Sequence, residues 1–136
     1  MPVTVIDTSI ALQWVLPESG SEQAFRYVKA DNVISADILL VETANVLAKK
    51  VRANNMAAQD AIGALAMVKA AIVRLIETGP LVPRALELSI TLSHPVYDCV
   101  FLACAEQANG QLATRDAPFI KRVRDRGLGH LLEVAP

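Results

Sequence analysis

The chain has 136 residues, of which 53% are hydrophobic and 20% are charged, and its formal net charge is −1 at pH 7. This length predicts a single domain over residues 1–136, and the apolar fraction predicts a well-filled core with apolar surface left for self-association or a partner. The charge balance lacks the basic excess that is typical of proteins that bind polyanions in general.

A membrane span and a secretory signal are both disfavoured by the pattern. The longest apolar-rich region, residues 61–76, contains Lys69 and Arg74 and is shorter than the roughly 20 apolar residues that a spanning helix needs. The N-terminus lacks a basic start and reaches Asp7 almost at once. The only cysteines, Cys99 and Cys104, lie on different faces of one predicted helix, which disfavours a disulfide. We therefore expect a cytoplasmic protein.

Strand and helix patterns alternate through the first half of the chain. The apolar, β-branched run at 3–6 is typical of a buried strand, and Thr8 or Ser9 can cap the helix that follows it. In chain order we predict a strand at 3–6, helices at 8–16 and 22–30, a strand at 32–35, and helices at 37–52 and 57–71.

The alternation continues in the second half. Pro83 is tolerated in the first turn of a helix, and His94 with Pro95 marks a loop before the next helix. The predicted elements are a strand at 72–76, helices at 81–92 and 97–109, a strand at 111–114, a basic helix at 117–126 and a strand at 131–134. Strands separated by helices predict an α/β fold with a mainly parallel sheet covered on both faces.

Four acidic residues stand beside apolar residues at predicted strand ends or in helices: Asp7, Glu42, Asp98 and Asp116. An ionised carboxylate in such a setting is costly unless its charge is offset. If the four converge, their mutual repulsion opposes folding unless a divalent cation compensates it. The pattern therefore indicates a metal-dependent hydrolytic site. Each acid also has a simpler explanation alone, as a cap, as a charge near a helix N-terminus or as an ordinary helix residue.

The acids lie in motifs that resemble those of the PIN-domain nucleases, specifically the small VapC-like toxins of toxin-antitoxin pairs. The resemblance covers nearly the entire chain and implies a PIN-like three-layer α/β/α fold. It rests on Val5-Ile6-Asp7-Thr8-Ser9, Leu40-Val41-Glu42-Thr43-Ala44-Asn45-Val46-Leu47, Pro95-Val96-Tyr97-Asp98-Cys99-Val100-Phe101-Leu102-Ala103 and Leu112-Ala113-Thr114-Arg115-Asp116-Ala117-Pro118-Phe119. Some relatives carry a further acid after the fourth, where this chain has Ala117, Pro118 and Phe119.

This resemblance implies that the chain hydrolyses RNA phosphodiester bonds with Mg²⁺ or Mn²⁺. Whether the site binds one metal ion or two stays open. The catalytic and metal-binding residues it implies are Asp7, Glu42, Asp98 and Asp116. Those expected to support them or to contact phosphate are Ser9, Asn45, Thr114 and Arg115. Such hard oxygen ligands, completed by water and substrate phosphate, suit Mg²⁺.

The resemblance also implies partners: an RNA substrate, a VapB-like antitoxin protein that covers an apolar groove, and a second copy of the chain in a homodimer. We expect Arg115 and the basic helix to draw RNA phosphates towards the acids. The regions 24–28 and 39–46 are candidates for the groove.

Two other functions remain open from the residues. A catalytically silent PIN-like module would bind RNA or a protein without cutting. A phosphoryl-transfer enzyme or receiver domain would use Asp7 as phosphoacceptor, although Thr8, Ser9 and Ile10 after it include no second acid.

Overall fold

Strands and helices alternate along the chain in a computed structural model that describes residues 3–16, 27–28 and 32–133. The strands are β1 (Thr4–Ile6), β2 (Val33–Ala36), β3 (Arg74–Ile76) and β4 (Gln111–Ala113). The helices in these ranges are α1 (Thr8–Val15), α2 (Ile38–Arg52), α3 (Ala58–Ala71), α4 (Val82–Leu92), α5 (Val96–Gln107) and α6 (Ala117–Asp125). Short 3₁₀ turns lie at Gly79–Leu81 and Gly129–Leu131.

The sheet has the strand order β3-β2-β1-β4, and every pair of neighbours is parallel. The chain runs from β1 outwards through β2 to β3 and then returns to the other side of β1 as β4. In open α/β sheets, a reversal of strand order such as that between β1 and β4 forms a crevice at the carboxyl ends of the two strands, where ligands commonly bind. The predicted α/β fold with a central parallel sheet is confirmed.

Helices cover both faces of this sheet. Successive side chains of a strand point to opposite faces of the sheet. Because all four residues of β2 are buried, both faces are covered at this strand. On α5, seven consecutive residues from Cys99 to Ala105 are buried, so the middle of this helix is enclosed on all sides, as in a core helix. Burial raises the pKa of the Cys99 and Cys104 thiols to about 11 each, and both cysteines serve as small core residues.

The end of the chain differs from its prediction. Residues 131–134 were expected to form a strand, which is wrong for the described part: Leu131 ends a 3₁₀ turn, and Leu132 makes one isolated parallel bridge with Leu112. Gly127, at φ +75°, turns the chain after α6, and the segment rejoins the sheet edge for a single residue.

Other predicted elements differ only at their ends or fall where little is described. Within the predicted helix at 22–30, only Tyr27 and Val28 are described, and both are helical. The remainder of that prediction lies outside the described residues. The strand predicted at 72–76 is shorter than expected and begins at Arg74.

No single helix in the described ranges has the length and apolar character to cross a membrane. A pair, Gly79–Leu92 with Val96–Gln107, meets the criterion jointly by length and composition, with a bend of 116° between its members.

Candidate metal centre

Asp7 directly follows β1 at the crevice and caps α1. Its Oδ1 accepts hydrogen bonds from the Ile10 backbone N–H at 3.1 Å and from the Ser9 hydroxyl at 2.6 Å. The sequence predicted Thr8 or Ser9 as the cap, and this is wrong. The backbone of Asp7 is extended (φ −100°, ψ −179°), and its carboxylate reaches the N–H group of Ile10, the third residue of α1, which has no partner within the helix.

Burial disfavours the ionised form of the Asp7 carboxylate. Only 4% of the residue is exposed, and burial raises its pKa from 3.8 to about 6, although hydrogen bonds from Ser9, Thr114 and Ile10 act in the opposite direction. The charge of Asp98 raises this pKa further. A buried acid that lies close to a second acid needs a compensating positive charge when both are ionised.

Glu42 enters the same region from α2. Its Oε1 accepts a hydrogen bond from the Thr8 hydroxyl at 2.6 Å, so the first residue of α1 fixes a side chain 34 positions away. Burial raises the pKa of Glu42, the Thr8 hydrogen bond lowers it and the charge of Asp98 raises it. Asp98 therefore acts electrostatically on both Asp7 and Glu42.

Asp98 and Asp116 meet at the start of two helices. Asp98 lies in the first turn of α5, as predicted. Asp116 is the N-cap of α6, where its Oδ1 accepts from the Phe119 backbone N–H at 3.1 Å. With His94, these two acids form a group in which one ligand atom of each residue lies within 4.8 Å of the others.

Two of the four predicted supporting residues, Ser9 and Thr114, bond to the acids, and a third, Arg115, bonds to Ser9. The Ser9 hydroxyl accepts the Arg115 backbone N–H at 3.3 Å while it donates to Asp7. The Thr114 hydroxyl accepts the Asp116 backbone N–H at 3.2 Å and also bonds to Asp7. Asn45 is exposed on α2, one helical turn beyond Glu42.

His94 was missed at this site, because the sequence suggested only a loop residue there. It does lie in the loop between α4 and α5, yet its Nε2 is 2.6 Å from Asp98 Oδ2. The sequence does place His94 four residues before Asp98. Pro95 between them indicates a loop, and local pattern does not predict that this loop brings His94 back to the start of α5.

The donor set fits a divalent cation. The group around Asp98 combines carboxylate oxygens, the hard ligands that Mg²⁺ and Mn²⁺ accept, with one imidazole nitrogen. Repulsion between Asp98 and its acidic neighbours is the force that a bound cation would relieve.

Comparisons with known proteins agree with this fold. The sequence model of the PIN domain family matches residues 4–125. A structure described as the crystal structure of PAE2754 from Pyrobaculum aerophilum is similar with a TM-score of 0.71 at 17% identity, over 89% of this chain and 86% of that chain. At that identity the likeness concerns the fold. No curated protein matches the sequence.

Proposed function

Because this chain belongs to the PIN domain family, we propose that it is a metal-dependent endoribonuclease that hydrolyses RNA phosphodiester bonds. PIN domains are generally nucleases. The observation that carries the proposal is the position of Asp98, which lies in one group with Asp116 and His94 and whose charge also raises the pKa of Asp7 and Glu42.

In this proposal the four acids bind Mg²⁺ or Mn²⁺ in two different roles. Asp7 and Asp98 are the central ligands, and Glu42 and Asp116 bind directly or through water. The bound ion would supply Lewis acidity and a water of lowered pKa, so no side-chain nucleophile is needed. Thr8 fixes the orientation of the Glu42 carboxylate by a hydrogen bond, as residues behind metal ligands commonly do.

The RNA backbone would approach along α6. This helix is capped by Asp116 and exposes the side chains Lys121, Arg122 and Arg124, followed by Arg126. Arg115 is exposed beside the acids. Positive side chains next to an acidic crevice attract phosphates in a salt-dependent manner. We infer a single-stranded loop as the substrate, because its bases are free to splay out.

We further propose that the protein is a VapC-like toxin with a VapB-like antitoxin. In support, an apolar groove of about 380 Å³ lies between α2 and α3, lined by Ala44, Leu47, Ala48, Val51, Arg52, Ala58, Ala61, Ile62 and Leu65. A groove of this kind suits the apolar face of a partner helix. Of the predicted region 39–46, only Ala44 lines this groove. Most of the other predicted region, 24–28, lies outside the described residues.

We also propose a homodimer. In support, α4 exposes an apolar row, Val82, Leu86 and Ile90, spaced at intervals of four residues. Such spacing places the three side chains on one side of the helix, opposite the face that packs in the core.

The function is tested by incubating the purified protein with structured RNAs in Mg²⁺, Mn²⁺ or EDTA. We expect cleavage with metal only, and a loss of about a hundredfold or more in Asp98→Asn, because ligand loss costs at least as much as loss of a supporting residue. The matched control is Glu77→Gln, which removes an exposed carboxylate after β3 and should cut normally.

Two results would contradict the proposal. Cleavage that persists in EDTA would exclude metal-dependent hydrolysis. RNA binding without cleavage by metal-loaded protein would favour the catalytically silent module.

A further inference from the structure

The His94 side chain is held firmly at the edge of the acidic group. Only 9% of the side chain is exposed, and its ring is tilted against that of Phe119, with 4.5 Å between centroids. The His94 backbone N–H donates to the Ser89 carbonyl at 3.2 Å, and the Ser89 hydroxyl donates to the His94 carbonyl. The loop backbone and the ring are therefore both fixed before any ligand binds.

The His94 ring lies close to two acids, Asp98 and Asp116. Its Nε2 is 2.6 Å from Asp98 Oδ2, and the ligand atoms of His94, Asp98 and Asp116 all lie within 4.8 Å of one another. Phe119 links two members of this group, since its ring packs on His94 while its backbone N–H binds Asp116. A nitrogen and two oxygens thus converge from the α4–α5 loop, α5 and the start of α6.

We propose that His94 Nε2 is a ligand of the divalent cation held by Asp98 and Asp116, and that it shifts the preference of this site from Mg²⁺ towards transition-metal ions such as Mn²⁺. This inference rests on the metal site of the proposed function. Mg²⁺ strongly prefers hard oxygen ligands, whereas imidazole suits transition metals. A cation bound by both residues would replace the hydrogen bond between His94 Nε2 and Asp98 Oδ2.

A direct test is pulsed electron paramagnetic resonance of Mn²⁺ bound to the untagged protein, which detects nitrogen coordinated to the ion. We expect ¹⁴N-imidazole modulation, and we expect it to change to the ¹⁵N pattern when the protein is made with ¹⁵N-histidine. This measurement uses the unaltered chain, so its outcome does not depend on how a variant folds.

The variant His94→Gln provides the second arm, with His130→Gln as its matched control. These are the only two histidines in the chain, and His130 lines a separate cavity beside Asn109, Gly110 and Gln111 at the start of β4, the opposite end of the strand from the site. We expect His94→Gln alone to lose the ¹⁴N signal and about tenfold in Mn²⁺ affinity, with a smaller loss for Mg²⁺ in titration calorimetry.

The outcomes separate this inference from the proposed function. Mn²⁺ that binds without imidazole coupling overturns His94 as a ligand but leaves the carboxylate site intact. Equal losses of Mg²⁺ and Mn²⁺ affinity in His94→Gln overturn the claim of altered metal preference. Absence of Mn²⁺ and Mg²⁺ binding in the unaltered protein contradicts the proposed metal-dependent function itself.

Discussion

Asp7 and Asp116 each serve the fold and the candidate site at once. Both cap a helix through Oδ1, towards the backbone N–H of Ile10 and of Phe119. The positive end of a helix stabilises a nearby negative charge. At Asp7 burial nevertheless has the larger effect, because its pKa is raised to about 6.

Asp7→Asn should stabilise the metal-free protein at neutral pH. The pKa of Asp7 is raised from 3.8 to about 6 on folding, so between these values the folded state binds more protons and its stability falls as pH rises. Asparagine cannot ionise and keeps an oxygen for the Ile10 N–H. We expect a gain in unfolding free energy of up to about 3 kcal/mol at pH 7, vanishing near pH 4, in urea unfolding with EDTA.

The exposed acid Glu77 provides the control for that experiment, and Glu77→Gln should change the unfolding free energy by no more than about 0.5 kcal/mol. If Asp7→Asn proves less stable than the unaltered chain at pH 7, the hydrogen bonds of the carboxylate outweigh its burial.

Thr8→Val should weaken metal binding without removing any proposed ligand. Valine has the shape of threonine but lacks the hydroxyl that donates to Glu42 at 2.6 Å, and loss of such a supporting bond typically costs about tenfold or more in metal affinity. Titration calorimetry with Mn²⁺ measures the change. Thr8→Ser keeps the hydroxyl and should restore most of the affinity; equal affinities in all three proteins would show that Glu42 needs no such support.

At the scale of elements, the residues just before β1 and β4 approach each other closely at Gly110. A Cβ at this position would lie 2.3 Å from the Val3 carbonyl oxygen and 2.6 Å from Val3 Cγ2. The Gln111 N–H also donates to that carbonyl at 3.2 Å. The absence of a side chain at Gly110 thus permits the pairing that positions both sides of the crevice.

Gly110→Ala should therefore destabilise the fold, by about 1–3 kcal/mol, as overpacking does. The matched control is Gly63→Ala within α3, where an added Cβ meets nothing within 4 Å. That change should raise stability by about 0.5–1 kcal/mol, because alanine is the better helix former. Chemical denaturation followed by circular dichroism measures both; a neutral Gly110→Ala would mean that the two strands separate at little cost.

At the scale of the whole molecule, apolar surface remains exposed after the core is filled. On α4, Ile90 is 72% exposed, and Leu86 and Val82 precede it at intervals of one helical turn. A row of this kind on an otherwise packed domain is typical of an interaction surface. This row provides the physical basis for the proposed homodimer.

Ile90→Lys should convert the proposed dimer into a monomer, because it places a charge within the proposed apolar contact. Sedimentation velocity at matched concentrations measures the change. The control, Thr91→Lys, adds the same charge at the neighbouring exposed position of the helix and should leave the dimer intact. A dimer that tolerates Ile90→Lys would place the subunit contact elsewhere.

The order and type of most elements followed from local pattern, because the spacing of apolar residues, prolines and glycines reports the period of a helix or strand directly. The four acids were also recognisable from their short motifs. Only the tertiary structure decided the strand order, the capping by Asp7 and the single bridge at Leu132. It also decided that His94 meets Asp98 and Asp116. These features depend on contacts between residues that are distant in the sequence. An example is the hydrogen bond between Ser9 and Arg115, which are 106 positions apart, and local sequence patterns do not predict such contacts.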